Sequence, residues 1–412
     1  SGSGQGEKSV LDRIVPDYYH RLNDAGYLET SSCCANTASE HNMMEKLMLD
    51  SLRTWATAYK IDGFRFDLMG HHTKANIEKA RDILQSLTPA EDGVDGRAIY
   101  LYGEGWNFGE VANDARFEQA TQANMGMDTG VGSFNDRMRD AVRGGGPFDS
   151  GQDHVRRQGF INGLFTDPNA LNSGSDNEYA ELMRLTDWIR LGLAGTLSEY
   201  VFMDANGNFV RGADIDYFGN PGAGYASDPQ EVINYASAHD NETLFDISQY
   251  KLPIDTGTDD RVRVANLGNS IIALSQGVPF FHAGQDMLRS KSMDRNSYNS
   301  GDWFNVLDFS YGTNGWGRGM PPFGDNQNSW GEISPLLGNP DLAVEKHDIR
   351  RANKHMKEML RIRRSSPLFR LRTAEDVQER LEFHNTGPGQ IPGLVVMSLR
   401  GDQAIETVVL FN

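Results

Sequence analysis

The chain has 412 residues and a formal net charge of −18, so it is long enough to bury a large core and to form more than one domain. So acidic a chain, without a run rich in Lys and Arg, argues against nucleic acids and anionic membranes as partners, and no run approaches the roughly 20 apolar residues of a membrane-spanning helix. Its 10% of aromatic residues and 44 glycines favour a loop-rich α/β enzyme that handles a neutral or polar ligand.

Helical and strand patterns alternate along most of the sequence. Strands are predicted at 61–67, 98–103, 131–134, 232–238 and 278–282. Helices are predicted at 41–59, 74–87, near 113–123, 179–197, 261–276 and 345–364. This alternation predicts a parallel sheet covered by helices. A closed (β/α)8 barrel takes eight strands, so the predicted strands indicate either an incomplete barrel or an open sheet.

Two segments rich in Gly, Asn, Asp or Pro, 144–178 and 283–344, are predicted as long loops, and loops of this length usually carry function. From Pro367 the pattern changes to short strands with turns. These strands are predicted at 381–383, 394–397 and 407–410. The sequence therefore predicts a catalytic α/β part at 1–366 and the start of an antiparallel β domain at 367–412.

The two cysteines of the chain, Cys33 and Cys34, are adjacent, and alone they cannot form a zinc site. They are predicted either as two small buried thiols or as a vicinal disulfide in an oxidising compartment. Adjacent Cα atoms lie about 3.8 Å apart, below the usual disulfide range of about 4.4–6.8 Å. Such a bond would therefore require a distorted peptide.

Three of the predicted strands stop on or next to an acidic residue, namely Asp67, Glu104 and Asp240. Residues at the C-terminal ends of parallel strands converge on one face of an α/β barrel, so we expect these carboxylates to meet there. Two or three acids on such a face indicate acid–base or glycosyl-transfer chemistry.

Arg65 is expected on the same side of its strand as Asp67, because side chains alternate along a strand. In a barrel interior such a pair is costly unless both groups do something. One interpretation is a structural salt bridge. The other is a carboxylate nucleophile that the adjacent guanidinium keeps ionised.

Glu104 stands between Gly103 and Gly105, which are expected to admit a ligand, and Trp106 offers a flat apolar face to a sugar ring. The plainer interpretation is a loop Glu beside a core Trp. By contrast, Trp55 and Trp188 lie inside helical patterns and are predicted as core residues.

His239 and Asp240 share one strand end, and besides a role in catalysis they are interpretable as a metal-ligand pair or a helix N-cap. His71 and His72 follow the Asp67 strand and are expected to face the same cleft. A two-metal hydrolase would use such histidines, but the chain lacks a carboxylate set with ligand spacing, which argues against a catalytic metal.

Together these motifs resemble the signature regions at barrel strands four, five and seven of the α-amylase family of glycoside hydrolases. The motifs are Arg65–Asp67, Gly103–Trp106 and His239–Asn241. Flanking segments resemble, more narrowly, bacterial pullulanases and plant limit dextrinases. These segments are Tyr59–Gly70, Asp136–Phe148, Arg289–Ser292 and Asn296–Asn305. The resemblance covers nearly the whole chain, and Cys33–Cys34 is similar to a pair in the enterobacterial secreted branch.

The resemblance implies an α/β fold, a (β/α)8 TIM barrel of the α-amylase type. The barrel is expected to be incomplete, with about strands four to eight present and the chain truncated at both ends, and to be followed by the start of an antiparallel β domain. It also implies that Asp67 is the nucleophile, Glu104 the general acid/base and Asp240 a third carboxylate that orients the sugar hydroxyls. Further substrate contacts are implied for Arg65, His239, Trp106, Asn299 and Asp302.

The activity so implied is that of a retaining glycoside hydrolase that cleaves α-1,6 branch linkages in pullulan, amylopectin and limit dextrins by double displacement. The alternatives are an α-1,4-acting or mixed-specificity hydrolase of the same family and an inactive glucan-binding fragment. The implied partner is the α-glucan itself, and the complete protein is expected to be a monomer. The chemistry requires no cofactor, although a structural calcium ion is allowed. The resemblance implies a secreted or cell-surface location, although the chain contains no signal segment.

Overall fold

The structure is a computed structural model that describes residues 9–219, 222–402 and 404–412. The chain divides into two compact units. Unit 1 comprises Ser1–Phe134 with Ala226–Glu231, and unit 2 comprises Asn135–Tyr225 with Val232–Asn412. None of the helices in the described residues combines the length and the apolar character needed to cross a bilayer.

In unit 1, helices and parallel strands alternate. The helices are α1 (Leu11–Ile14), α2 (Asn42–Tyr59), α3 (Lys74–Gln85) and α4 (Gln122–Met125). The strands are β1 (Gly63–Phe66), β2 (Tyr100–Gly103) and β3 (Gly132–Asn135), of which the last residue belongs to unit 2. β1 pairs with β2, and β2 pairs with β3, all in parallel. The predicted parallel sheet is thus confirmed in this unit.

Local sequence explains how β1 reaches its place. Lys60 ends α2 in the left-handed conformation, with φ 57°, and so turns the chain toward β1. Gly63 then lets the two strands approach closely, because a Cβ at this position would lie 2.8 Å from the carbonyl oxygen of Tyr100. The resulting register pairs Phe66, the last residue of β1, with Gly103, the last residue of β2.

The core of unit 1 holds these strand ends in place. Its buried side chains are Leu52, Ala56, Phe66, Met69, Ile77, Ala80, Leu84, Leu87, Leu101, Ala120, Met125 and Val131. Each large aliphatic or aromatic side chain in such a cluster contributes about 1.5–3 kcal/mol. Trp55 is not part of it: the prediction that it is a core residue is wrong, since it is 48% exposed and its ring contacts that of Tyr59 in a tilted arrangement on the outer face of α2.

Unit 2 contains the larger share of the elements. Its helices are α5 (Asp136–Arg143), α6 (Gln152–Arg156), α7 (Asp176–Leu193), α8 (Leu244–Lys251), α9 (Thr258–Leu274), α10 (Asp302–Asn305), α11 (Phe323–Asn326), α12 (Trp330–Leu337), α13 (Lys346–Ser365) and α14 (Ala374–Arg380). Its strands are β4 (Val201–Met203), β5 (Phe209–Arg211), β6 (Val232–Asn234), β7 (Val278–Pro279), β8 (Leu381–His384), β9 (Val395–Arg400) and β10 (Ile405–Phe411).

The strands of unit 2 pair in two different ways. β6 and β7 are parallel, as the alternation of strands and helices predicts. β4 and β5 form an antiparallel hairpin. β8, β9 and β10 form an antiparallel sheet in the order β10-β9-β8, which confirms the change of pattern predicted after Pro367.

The interior of unit 2 combines apolar packing with satisfied polar groups. Trp188 on α7 is 1% exposed, as predicted, and its indole N–H donates to the carbonyl of Asp216 at 2.9 Å. The buried amide of Asn135 donates to Thr196 Oγ1 and to Asn234 Oδ1, both at 2.7 Å. Such hydrogen bonds offset the cost of burying a polar side chain.

Some predicted elements differ from the observed ones. The helix predicted near 113–123 is wrong, because a short 3-10 segment, Gly109–Asp114, occupies part of that stretch and Asn113 within it is left-handed. The strand predicted at 232–238 pairs only as far as Asn234. The sequence pattern also did not indicate α5, α8, α14 or the β4–β5 hairpin, and the two predicted long loops contain the short helices α6 and α10 to α12.

Candidate active site

Two acidic residues leave the sheet of unit 1 side by side. Because Phe66 pairs with Gly103 at the ends of β1 and β2, the next residues, Asp67 and Glu104, emerge at the same edge. The backbone pairing extends one step further, since the N–H of Glu104 donates to the carbonyl of Phe66 at 3.2 Å. The first two carboxylates therefore meet at the C-terminal ends of neighbouring parallel strands, where barrel enzymes place catalytic groups.

Arg65 joins these two carboxylates. One of its terminal guanidinium nitrogens lies 2.6 Å from Asp67 Oδ1, and the other lies 3.0 Å from Glu104 Oε1. The second oxygen of Glu104 accepts the backbone N–H of Leu68 at 2.8 Å. The salt bridge predicted at Arg65 thus exists, and it joins two acids that directly follow two strands, rather than the single partner that a plain structural pair needs.

The two carboxylates differ in their access to water. The side chain of Asp67 is 76% exposed, whereas that of Glu104 is 11% exposed. Enzymes that use a pair of carboxylates separate the roles of the two acids through such differences in environment. The geometry therefore provides an open carboxylate beside a sheltered one, with a shared cation between them.

Glycines around Glu104 allow close packing of the backbone. A Cβ at Gly70 would lie 2.1 Å from the carbonyl oxygen of Trp106, and a Cβ at Gly105 would lie 2.6 Å from the backbone nitrogen of Gln122. Gly103 is equally crowded, with the Cβ of Met69 at 2.7 Å. The expectation that Gly103 and Gly105 open space for a ligand is therefore wrong, because both serve contacts inside unit 1. Trp106 itself is half-buried.

His71 and His72 differ in their surroundings. His71 is 5% exposed, and its Nε2 lies 2.8 Å from the hydroxyl of Ser31. Burial lowers the pKa of His72 to about 4, so its imidazole is neutral at pH 7. The expectation that both face the site is wrong for His71, which the three-residue turn after Leu68 places in the interior of unit 1. For His72, which is partly exposed, it stays a prediction.

A buried network lies beside His71. Arg21 donates to Glu40 at 2.8 Å and to Glu110 at 2.8 Å. Glu110 also accepts the hydroxyl of Ser31 at 2.6 Å and the amide of Asn36 at 2.9 Å. Burial opposes the ionisation of Glu110, yet these hydrogen bonds lower its pKa to about 2. The network thereby anchors both ends of the loop between Ser31 and Asn36.

Cys33 and Cys34 occupy the exposed tip of this loop as free thiols, with their sulfur atoms 2.6 Å apart. The expectation of buried thiols is wrong, because the loop is held through its ends and its tip reaches solvent. The neighbouring thiol is the main reason why the pKa of Cys33 is raised. A vicinal disulfide stays a prediction.

His239 and Asp240 form an exposed pair in unit 2. Nε2 of His239 lies 3.6 Å from Oδ2 of Asp240, and the two side chains are 58% and 54% exposed. The N-cap of α8 is Thr243, whose hydroxyl accepts the N–H of Asp246, so the interpretation of Asp240 as an N-cap is wrong. Among the described residues, no three His, Cys, Asp or Glu side chains are grouped in a way that would hold a metal ion.

Asn299 and Asp302 lie on an exposed segment of unit 2. Asn299 ends a 3-10 turn, and Asp302 begins α10. Both are exposed, and they stand next to two exposed aromatic residues, Tyr298 at 70% and Trp303 at 63%. The segment therefore offers polar and aromatic groups together, which is the composition that a saccharide contact needs.

Two charged residues near His239 were missed by the sequence analysis. Lys291 is 1% exposed and Asp246 is fully buried. Lys291 lies in a loop rich in polar residues and Asp246 in a helix, and both settings are typical of solvated charges. Their burial is a property of the folded chain that no local pattern indicates.

Known proteins match this chain over nearly its whole length. Residues 311–412 match the family model described as alpha-1,6-glucosidases, pullulanase-type, C-terminal. The chain is 52% identical over 405 residues to pullulanase 1, chloroplastic, of Arabidopsis thaliana, which covers 98% of this chain and 41% of that protein. It is 44% identical to a pullulanase of Klebsiella aerogenes, over 95% of this chain and 34% of that protein.

Solved structures give the same result. PulA from Klebsiella oxytoca matches with a TM-score of 0.91 and 41% identity, over 99% of this chain and 38% of that one. PulA from Klebsiella pneumoniae in a maltotriose complex matches with a TM-score of 0.89 and 43% identity, over 97% of this chain and 41% of that one. The chain spans between about a third and two fifths of the length of these relatives. By sequence and by fold, the chain is thus similar, over nearly its own length, to a part of these pullulanases.

Proposed function

We propose that this chain carries the catalytic acids of a retaining α-1,6-glucan debranching hydrolase. The observation that carries the proposal is the ion pairing of Arg65 with both Asp67 and Glu104. Two acids that share one planar cation fit the close separation, about 5–5.5 Å, of a retaining pair. The similarity to pullulanases, and of residues 311–412 to the C-terminal family model of pullulanase-type alpha-1,6-glucosidases, supports the α-1,6 linkage as the bond that is cleaved.

In the proposed first step, Asp67 attacks the anomeric carbon while Glu104 protonates the oxygen of the leaving branch. A covalent glycosyl-enzyme forms, and the bond to the leaving oxygen breaks. In the second step, Glu104 accepts a proton from water, and the resulting nucleophile releases the sugar from Asp67. Arg65 holds the Asp67 carboxylate through their ion pair, and it contacts Glu104, which carries negative charge after the first proton transfer.

Asp240 is proposed as the third carboxylate, and His239 as its neighbour in the subsite of the cleaved glucose. The support is the resemblance of His239–Asn241 to a family motif together with the exposure of both side chains. Trp106 is proposed as a platform for the sugar beyond the scissile bond. Asn299 and Asp302 are proposed as further glucan contacts, supported by their exposure beside aromatic residues.

We further propose that the parallel strands of each unit correspond to about strands four to eight of a (β/α)8 barrel of the α-amylase type. The parallel pairing found within each unit supports this assignment, as does the similarity to pullulanase structures. The proposed partners are pullulan, amylopectin and limit dextrins, and a Klebsiella relative in complex with maltotriose supports binding of α-glucans. A monomer in a secreted or cell-surface location is proposed on the resemblance alone.

The decisive experiment is incubation of this chain with pullulan, followed by chromatography of the products. Maltotriose as the product supports the proposal, because only α-1,6 cleavage yields it. Panose-type products would instead support the α-1,4-acting alternative. Retention of the chain on immobilised pullulan without any release of reducing ends would support the glucan-binding fragment.

A further inference from the structure

Lys291 is buried in unit 2, and its side chain contacts the backbone of the segment that carries the exposed His239–Asp240 pair. Its ammonium donates to the carbonyl oxygen of Asn241 at 2.7 Å and to that of His239 at 3.2 Å. These two carbonyls flank Asp240 on either side. The contact joins residues 50 positions apart in the sequence, so it ties the segment that presents Asp240 to a different loop of the unit.

The segment 239–241, whose carbonyl oxygens Lys291 contacts, contains a residue in an unfavourable backbone conformation. Asn241 lies in the left-handed region, with φ 59°, which costs an L-residue free energy unless its surroundings fix it. Besides the contact of its carbonyl with Lys291, the side-chain amide of Asn241 donates to the carbonyl of Pro147 at 3.0 Å. The turn that follows Asp240 is therefore held from two directions.

Lys291 is itself held in a fixed position. The carboxylate of Asp246, which is fully buried, accepts the backbone N–H of Lys291 at 2.8 Å and the hydroxyl of Ser290 at 2.5 Å. It also accepts the N–H of Met293 at 3.3 Å. The ammonium thus projects from a rigid loop rather than from a mobile one, which is the condition for precise positioning of another group.

We propose that Lys291 is a positioning residue for Asp240, which it holds by donating to the backbone carbonyls on both sides of it. The proposal rests on the role of Asp240 in the proposed function. A buried cation that merely satisfies two carbonyls would contribute to stability alone. A positioning residue must in addition control the mobility of the Asp240 segment and the rate of the chemical step.

The first measurement does not depend on activity. Backbone ¹⁵N order parameters of residues 239–241 are compared in the wild-type chain, Lys291→Met and Lys291→Arg. In the wild type they should be near the value of rigid backbone, about 0.85, and in Lys291→Met they should fall below about 0.6. Lys291→Arg keeps the charge and the donors and should restore most of the order. Unchanged order parameters in a folded Lys291→Met would overturn the proposal.

A matched control separates this effect from general loosening of unit 2. Arg261 is also 1% exposed, and it donates to the backbone carbonyls of Thr256 and Pro253. Arg261→Met should therefore leave residues 239–241 ordered. Loss of order there in Arg261→Met as well would show that any buried cation has this effect and would overturn the positioning role. If Lys291→Met does not fold, Lys291→Gln, which is shorter, replaces it with the same expected rise in mobility.

The second measurement uses pullulan cleavage. If the wild-type chain cleaves pullulan, Lys291→Met should lower kcat by about tenfold or more with a much smaller change in KM, because misplacement of a catalytic group by about 1 Å can cost up to about 10²-fold. An unchanged kcat would overturn the proposal. If the wild-type chain releases no sugar, the proposed function fails, while the order parameters still decide whether Lys291 fixes the Asp240 segment.

Discussion

Arg65 contacts Asp67 at 2.6 Å although the Asp67 side chain is 76% exposed. An ion pair this open to water is worth only about 0–1 kcal/mol, so stability does not explain why a partly buried guanidinium is directed toward it. The same guanidinium also contacts Glu104 at the end of the neighbouring strand. The arrangement is better explained by the proposed mechanism. There, Asp67 loses its negative charge when it bonds to the sugar, Glu104 gains one when it gives up its proton, and a fixed cation stays beside both.

Replacement of Arg65 by Lys should impair catalysis, although the charge is kept. A single ammonium lacks the planar fork that reaches two carboxylates at once, so kcat/KM on pullulan should fall by about 10²-fold. Steady-state kinetics would measure this. Arg211→Lys is a matched control, because Arg211 also spans two acids, Glu199 and Asp214, on an exposed surface of unit 2. Equal losses in both variants would contradict the role given to Arg65.

Glu104→Gln and Asp67→Asn should respond differently to the leaving group. Loss of a positioned proton donor typically costs about 10²–10⁴-fold, and a substrate whose leaving group needs no protonation should recover much of the first step in Glu104→Gln. Asp67→Asn lacks the nucleophile and should show no such recovery. Pre-steady-state release of an activated aryl leaving group would be measured for both. The same recovery in both variants would reverse or cancel the assignment.

Trp106→Ala should weaken binding of branched glucans more than it slows cleavage of small activated glycosides. A stacking platform supplies contact area and no proton, so the loss should appear mainly in KM for the polymer. Kinetics on limit dextrin and on an aryl maltoside would be compared. Trp55→Ala is the control, since Trp55 is also a partly exposed Trp of unit 1 but lies on the outer face of α2. Equal loss on both substrates would place Trp106 in the core.

Glu110 should make the free energy of unfolding of the chain depend on pH. Its folded pKa of about 2 lies below the value of about 4.3 for an unfolded Glu. The stabilisation is therefore fully present above about pH 5 and is lost as the pH falls toward 2. Glu110→Gln should lower the free energy of unfolding at pH 7 by about 1–2 kcal/mol after screening by solvent. Urea unfolding at pH 7 and pH 3 would measure this.

The difference between the wild type and Glu110→Gln should shrink between pH 5 and pH 3. Glu118, which is 62% exposed, provides a control, because Glu118→Gln should have little effect at either pH. A difference between the wild type and Glu110→Gln that does not change with pH would show that the hydrogen bonds to Ser31, Arg21 and Asn36 do not favour the ionised carboxylate.

The local sequence was enough to predict those helices and strands whose own residues show a clear spacing of apolar side chains. Apolar spacing was enough to predict α2, α3, α7 and α13, because one face of each helix is buried and the period of 3.6 residues is visible in the sequence. The short runs that end before Asp67 and Glu104 were enough to predict β1 and β2. The expectation that these two acids meet followed from the geometry of parallel strands alone. The prediction of a helix near Asn113 failed because the left-handed conformation of this residue cannot be seen in the spacing of apolar residues.

Tertiary structure decided which of the polar residues are exposed and which are paired. The sequence placed Arg65 beside Asp67, but the contact with Glu104 needed the register of β1 on β2. The interior positions of His71 and Lys291, and the exposed positions of Cys33 and Trp55, depend on segments far away along the chain. Burial and hydrogen bonding are set by the sum of such distant contacts, whereas periodicity reports only on neighbouring residues. For that reason the acids of the proposed site and the pairing of Arg65 with Asp67 were evident in the sequence, whereas the contact of Arg65 with Glu104 and the contacts of Lys291 were not.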